Sequence, residues 1–105
     1  MSDSTVTNHE AANRFELSVD GQTAVLTYHL RSGSITFLHT EVPQQLAGQG
    51  IAGKLARAGL DFARQQNLKV VPMCGFVAAY IKRHPEDRDL VREDDLDRVT
   101  GEPQG

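Results

Sequence analysis

The chain has 105 residues, 39% of them hydrophobic, with a single cysteine and a net charge of −3; this suffices for one domain with a modest core and leaves nothing for a second. One cysteine excludes an intramolecular disulfide framework and a thiol-rich metal site, and it suits a reducing compartment, hence the cytoplasm. The charge is uneven: eight acids against three arginines leave residues 85–105 at −5 and the rest of the chain at +2, a body too weakly basic to predict nucleic-acid binding.

Residues 1–12 are polar and hold no apolar run, so they read as a disordered leader and not as a signal peptide. No stretch approaches the roughly 20 apolar residues of a membrane span, so no membrane partner is expected. Residues 13–20 alternate, with Phe15, Leu17 and Val19 on one face and Arg14, Glu16 and Ser18 on the other, the pattern of a half-buried strand. Asp20-Gly21 is a tight-turn signal, and residues 22–31 form a second strand. After Ser32-Gly33-Ser34, residues 35–42 form a third, rich in β-branched and aromatic side chains. The chain therefore opens as an antiparallel meander.

Pro43 ends the third strand because it has no N–H to give to a ladder, and residues 44–50 are a loop. Residues 51–66 read as a helix, with Ile51, Leu55, Ala58 and Phe62 recurring on one face and Lys54, Arg57, Asp61 and Arg64 largely opposite. Asn67 suits the helix end. Residues 69–73 form a short apolar fourth strand, and the strand–helix–strand run predicts a parallel crossover beside the third. Residues 75–82 form a shorter helix that stops before Pro85. Residues 89–91 add a last extended contact, and residues 92–105 read as an acidic disordered tail. The domain thus spans residues 13–91.

The chemistry-bearing segment lies between the third strand and the long helix. Gly48 and Gly50 stand at the helix start, where the first N–H groups lack internal partners and the helix dipole adds positive charge. Glycine lets the backbone approach a bulky anion there, which makes a phosphate cradle. Gly48, Gly50 and Gly53 also match a dinucleotide fingerprint literally. That reading fails: residues 43–47 separate the glycines from the strand, and the next strand lacks the acidic residue that holds ribose. The remaining alternatives are the cradle and glycines that only let a loop turn and a helix pack.

The segment Gln45-Leu-Ala-Gly-Gln-Gly50 resembles the Q/R-x-x-G-x-G/A signature of the GNAT acetyltransferases, in its usual place between a central strand and the main helix. The blocks SITFLHTEV, GQGIAGKLARAGLDFA, KVVPMCGFVAA and YIKRHP, in that order, are similar to the short stand-alone members of that superfamily. The resemblance covers residues 13–91. It implies a truncated GNAT-like α/β fold: a mixed, mostly antiparallel sheet with one long and one short helix. It also implies acetyl-CoA as co-substrate. The pantetheine arm would lie along Thr40, Glu41 and Val42, where the central strand parts from its parallel neighbour. The pyrophosphate would sit on the N–H groups of Gly48, Gln49, Gly50, Ile51 and Ala52. The two opening helices that usually shape the amine site have no counterpart before the first strand, so the acceptor amine is unidentified.

Amine acetylation needs a base for the amine, donors for the thioester carbonyl and a proton for the departing thiolate. By the resemblance, Cys74 lies near the acyl group, as a nucleophile or as proton donor to the coenzyme A sulfur; the plain alternative is a small buried residue. His39 and Glu41 share a strand face by alternation. His39 could be the general base or form a Cys–His pair with Cys74, and Glu41 could orient it; the plain alternative is a histidine packed under a helix. Tyr80, six residues beyond Cys74, matches the helical tyrosine of many GNAT enzymes that donates to the thiolate. The histidines lack ligand spacing, so no metal is expected.

These residues predict an acetyl-CoA-dependent N-acetyltransferase acting on an unidentified amine. The alternatives are a coenzyme A-binding regulatory module without efficient transferase activity and a small interaction domain. A domain this trimmed could also borrow walls from a second copy of itself.

Overall fold

A computed structural model describes residues 5–100. Its strands are β1 (Thr7–His9), β2 (Arg14–Val19), β3 (Gln22–Arg31), β4 (Ser34–Glu41) and β5 (Lys69–Pro72), which lie in the order β1-β2-β3-β4-β5 in one sheet. Its helices are α1 (Ile51–Gln65), α2 (Gly75–Arg83) and the short α3 (Asp97–Thr100). The first three pairings are antiparallel, and β4 pairs with β5 in parallel. Asp20 and Gly21 both have positive φ, 52° and 81°, the conformation that joins β2 to β3 by a tight primed turn.

All the helical layers lie on one face of the sheet. Phe15, Leu17, Ala24, Leu26, Tyr28, Ile35 and Phe37 point to that face and are buried against Leu55, Leu60, Val77 and Ile81. The buried stripe of α1 is Ile51, Leu55, Ala56, Gly59, Leu60 and Ala63. It is turned slightly from the stripe read in the sequence, so Ala58 and Phe62 flank the core as half-buried residues. Gly59 is the point of closest approach: a Cβ there would sit 2.8 Å from Phe37 Cε1. The helix closes where Leu68 N–H donates to Ala63 C=O at 2.8 Å and Asn67 takes a left-handed φ of 56°.

Two segments expected to be disordered are structured within the described residues. β1 falls inside the expected leader of residues 1–12, of which residues 1–4 lie outside the description. Its Thr-Asn-His sequence carries no apolar signal. The strand is held by pairing with β2 and by Tyr28 Oη–H donating to Asn8 Oδ1 at 2.6 Å. In the expected tail, residues 93–100 form a 3-10 turn (Glu93–Asp95) and α3. Val99 is fully buried and Leu96 packs against the core, while Arg98 donates to Asp95 at 3.1 Å. Two apolar residues thus anchor a segment whose composition reads as solvated; residues 101–105 lie outside the description. Of the extended contact expected at residues 89–91 only Val91 is extended, bridging Val70 at the outer edge of β5; Asp89 and Leu90 end a 3-10 helix (Pro85–Leu90).

Candidate functional site

The centre of the site is where β4 and β5 part. β4 pairs with β5 only from Ser34 to Phe37, yet against β3 it runs on to Glu41. β5 ends at Pro72, Cys74 N–H donates to Phe37 C=O at 2.8 Å, and the chain turns into α2. Beyond Phe37 the β5-facing edge of β4 therefore borders a gap.

A bulge in β4 decides which side chains face that gap. Tyr28 pairs with Phe37 and Thr27 with His39, so Leu38 is an extra residue. One inserted residue flips every later side chain to the opposite face. Thr40, paired with buried Leu26, points to the helical face. Its hydroxyl lies 3.1 Å from Cys74 Sγ, and Cys74 is only 6% exposed. His39 goes to the bare face, where its Nε2 lies 2.9 Å from Glu41 Oε2; their side chains are 60% and 68% exposed. The structure therefore forms a Thr40–Cys74 contact and a separate His39–Glu41 pair, not the Cys–His pair expected. Nor is His39 packed under a helix.

The loop before α1 forms a shallow cradle. Leu46 is buried and pins it, with its N–H on Pro43 C=O at 2.9 Å. Gly48 and Gly50 have φ of 83° and 74°, and Gly50 is the N-cap, without a side-chain cap. The first turn of α1 holds no acid to oppose an anion. A cavity of about 230 Å³ opens here, lined by Val42, Gly48, Gly50, Ile51 and Ala52 among the expected residues. Gln45 and Gln49 are exposed and outside that lining. Leu46, Ala47, Gly53 and Phe76 also line it and were missed. Phe76 carried one usable signal, an aromatic in the first turn of a helix that starts beside the gap.

Tyr80 is not at the Thr40–Cys74 contact. Its ring stacks on His84 at 4.0 Å, has Arg57 Cζ 5.9 Å from its centroid, and passes Gly53 of α1. His84 Nδ1–H donates to Tyr80 C=O at 2.7 Å. Tyr80 thus belongs to the groove between α1 and α2. Behind that groove Arg57 clamps Asp87 with two hydrogen bonds of 2.8 and 2.9 Å. The guanidinium of Arg57, aided by Arg64, holds the Asp87 carboxyl below the usual carboxylate range, and Asp87 in turn raises Arg57. Among the described residues no three His, Cys, Asp or Glu side chains converge as metal ligands would, and no helix is long and apolar enough to cross a membrane.

The profile of the GCN5-related N-acetyl-transferase family matches residues 14–90. The chain is 41% identical over 70 residues to the mouse protein NATD1, covering 66% of this chain and 64% of that protein. It is 30% identical over 90 residues to zebrafish NATD1, covering 83% and 82%. The chain thus spans less than two thirds of the mouse relative and more of the zebrafish one. The solution structure of a GCN5-like protein from Staphylococcus aureus superposes with a TM-score of 0.67 at 29% identity, covering 88% of this chain and 91% of that one. The fold agrees with the solved neighbour, and the chain belongs to the GCN5-related N-acetyltransferase family.

Proposed function

We propose that this chain is an acetyl-CoA-dependent N-acetyltransferase of the cytoplasm that acetylates an amine. The observation that carries the reading is the glycine cradle at the start of α1 opening beside the parted edge of β4. The residues present fit the cofactor. A Cβ at Gly48 or Gly50 would meet no protein atom within 4 Å, so the space beside them is free for a ligand. The exposed N–H groups of the first turn are donors suited to a pyrophosphate.

In this reading residues 48–52 hold the pyrophosphate through backbone N–H groups. The unpaired edge of Thr40, Glu41 and Val42 takes the pantetheine amides as a neighbouring strand would. When bound, acetyl-CoA supplies a thioester whose carbonyl carbon accepts the amine. Cys74 and Thr40 are side by side on the helical side of the gap, where the Sγ–H of Cys74 can give a proton to a departing thiolate and the Thr40 hydroxyl can hydrogen-bond to the thiol. On the bare side, Glu41 accepts from one nitrogen of His39. The imidazole is thereby oriented so that its other nitrogen takes a proton from the amine.

The test incubates the protein with acetyl-CoA and a panel of small amines and lysine-containing peptides, measuring free thiol. Amine-dependent thiol release is expected, and His39→Ala should lower kcat by about 10²-fold, the lower range for general base catalysis. Among the described residues no helix covers the bare face, which favours a second reading, a coenzyme A-binding module without efficient transfer. Acetyl-CoA binding with no thiol release from any acceptor would support it.

A further inference from the structure

The bare face of the sheet carries two paired clusters, and the strand register sets them opposite one another. On β2, Arg14 Nε donates to Glu16 Oε2 at 2.7 Å, and His9 Nδ1 of β1 lies 3.3 Å from the same oxygen. On β4 stands the His39–Glu41 pair. β3 runs between them: Arg14 pairs with Thr27 and Thr27 with His39, while Glu16 pairs with Val25 and Val25 with Glu41. Opposite side chains on neighbouring strands have Cβ atoms about 5 Å apart, which sets Arg14 and His39 about 10 Å apart. Thr27 and Val25, both half-buried, floor the trough between them.

One charge beside this trough is held in place and still free to bind. Glu16 accepts from Arg14 and His9, and Glu41 accepts from His39. Arg14 engages only its Nε; its two terminal nitrogens make no hydrogen bond among the described residues, and its side chain is 44% exposed. The bond to Glu16 on the same strand orients the guanidinium, so less freedom is lost when a ligand binds it. Two terminal nitrogens on one plane match the two oxygens of a carboxylate. The same cation repels a second ammonium.

Resting on the reading of His39 as the base for the amine, we propose that the acceptor is a small amino-carboxylic acid whose amine and carboxylate are several carbons apart, and that Arg14 binds its carboxylate. The amine lies at His39, the carboxylate at Arg14 and the carbon chain over Thr27 and Val25. An α-amino acid is too short to reach both. His39 takes the proton of the amine as the nitrogen bonds to the thioester carbonyl carbon, and Cys74 gives a proton to the sulfur as the carbon–sulfur bond breaks. Return of the proton from His39 to Cys74 restores both. The carboxylate takes no part in this step, so Arg14 holds ground state and transition state alike and acts on KM.

The experiment measures thiol release from acetyl-CoA with ε-aminocaproate and with its neutral amide, in wild type, Arg14→Gln and Arg31→Gln. Arg14 is exposed and bonds only to Glu16, so its replacement leaves the fold intact; Arg31 is an exposed arginine at the far end of β3, paired with Ser34 and away from the trough. Wild type and Arg31→Gln should favour the carboxylate about fivefold in kcat/KM, the upper end for an exposed ion pair of bidentate geometry. In Arg14→Gln the preference should vanish through a higher KM for the carboxylate, with kcat on both acceptors and the KM of the amide as in wild type. Equal kcat/KM for the two acceptors in wild type, a preference that survives Arg14→Gln, or reaction of other amines while neither of these reacts overturns the inference and leaves the acetyl transfer standing. No thiol release with any amine overturns the transfer reading, and the inference with it.

Discussion

Gly59 shows how tightly one residue sets the distance between helix and sheet. The Cβ of an alanine would lie 2.8 and 2.9 Å from two ring carbons of Phe37 and 3.4 Å from Leu26. Phe37 is itself fully buried and has no room to move. Gly59→Ala gains helix propensity, about 1 kcal/mol, but overpacking costs about 1–3 kcal/mol. The clash is with a buried ring and should win, so urea unfolding should show a lower midpoint with an unchanged slope. At the same scale, Gly48 and Gly50 could be read from the sequence as positions needing a free backbone. The roles of Thr40 and His39 could not. Strict alternation puts His39 on the face of Ile35 and Phe37, and only the extra residue at Leu38 reverses it. A bulge leaves no compositional trace in Ile-Thr-Phe-Leu-His-Thr, so the sequence pointed to the right strand but not to Thr40 as the side chain that meets Cys74.

At the scale of elements, the turn after α2 (Pro85–Leu90) is tied to α1 by charge. Asp87 is 2% exposed and is held by Arg57, with Arg64 at 3.3 Å. Asp87→Asn removes the buried anion between these arginines, while Arg57 keeps Asp61 and Arg64 keeps Asp89, and because Arg57 is partly exposed the loss should be about 2 kcal/mol, below the range for a fully buried pair. The pH dependence has a definite sign. The folded-state pKa of Asp87 is lowered, so its stabilisation is complete above the unfolded value of about 3.9 and fades as pH falls through the folded one. Urea titrations of wild type and Asp87→Asn should differ at neutral pH, and the gap should close in acid as the wild-type carboxyl protonates. This network was not legible in the sequence because its partners are 30 and 23 residues apart. The three central strands, α1 and the crossover were legible, because each carries its own period and its own punctuation.

For the whole molecule, the described helices cover one face of the sheet, and the domain must draw its stability from that layer, so peripheral pieces matter. α3 packs against α2, and Val99 is fully buried. Truncation after Arg92 should lose about 2 kcal/mol of burial and lower Tm by roughly 10 °C; an unchanged melt would mean α3 adds nothing to the domain. β1 and α3 escaped the sequence reading for one reason: both are polar segments that only tertiary contacts hold in place. In the proposed reading the amine arrives from the bare face, which carries the His39–Glu41 pair and Leu38, 46% exposed, and the cofactor takes the helical side. This division rests on the cradle, so the decisive measurement is calorimetric titration of acetyl-CoA into wild type and Gly50→Glu, with thermal melts of both. At Gly50 a glutamate side chain would project into the space beside the first N–H groups and carry the wrong charge. Micromolar-range binding by wild type, lost in a variant that still melts cooperatively, is the predicted result. Equal binding by both proteins, or none by wild type, would contradict the account.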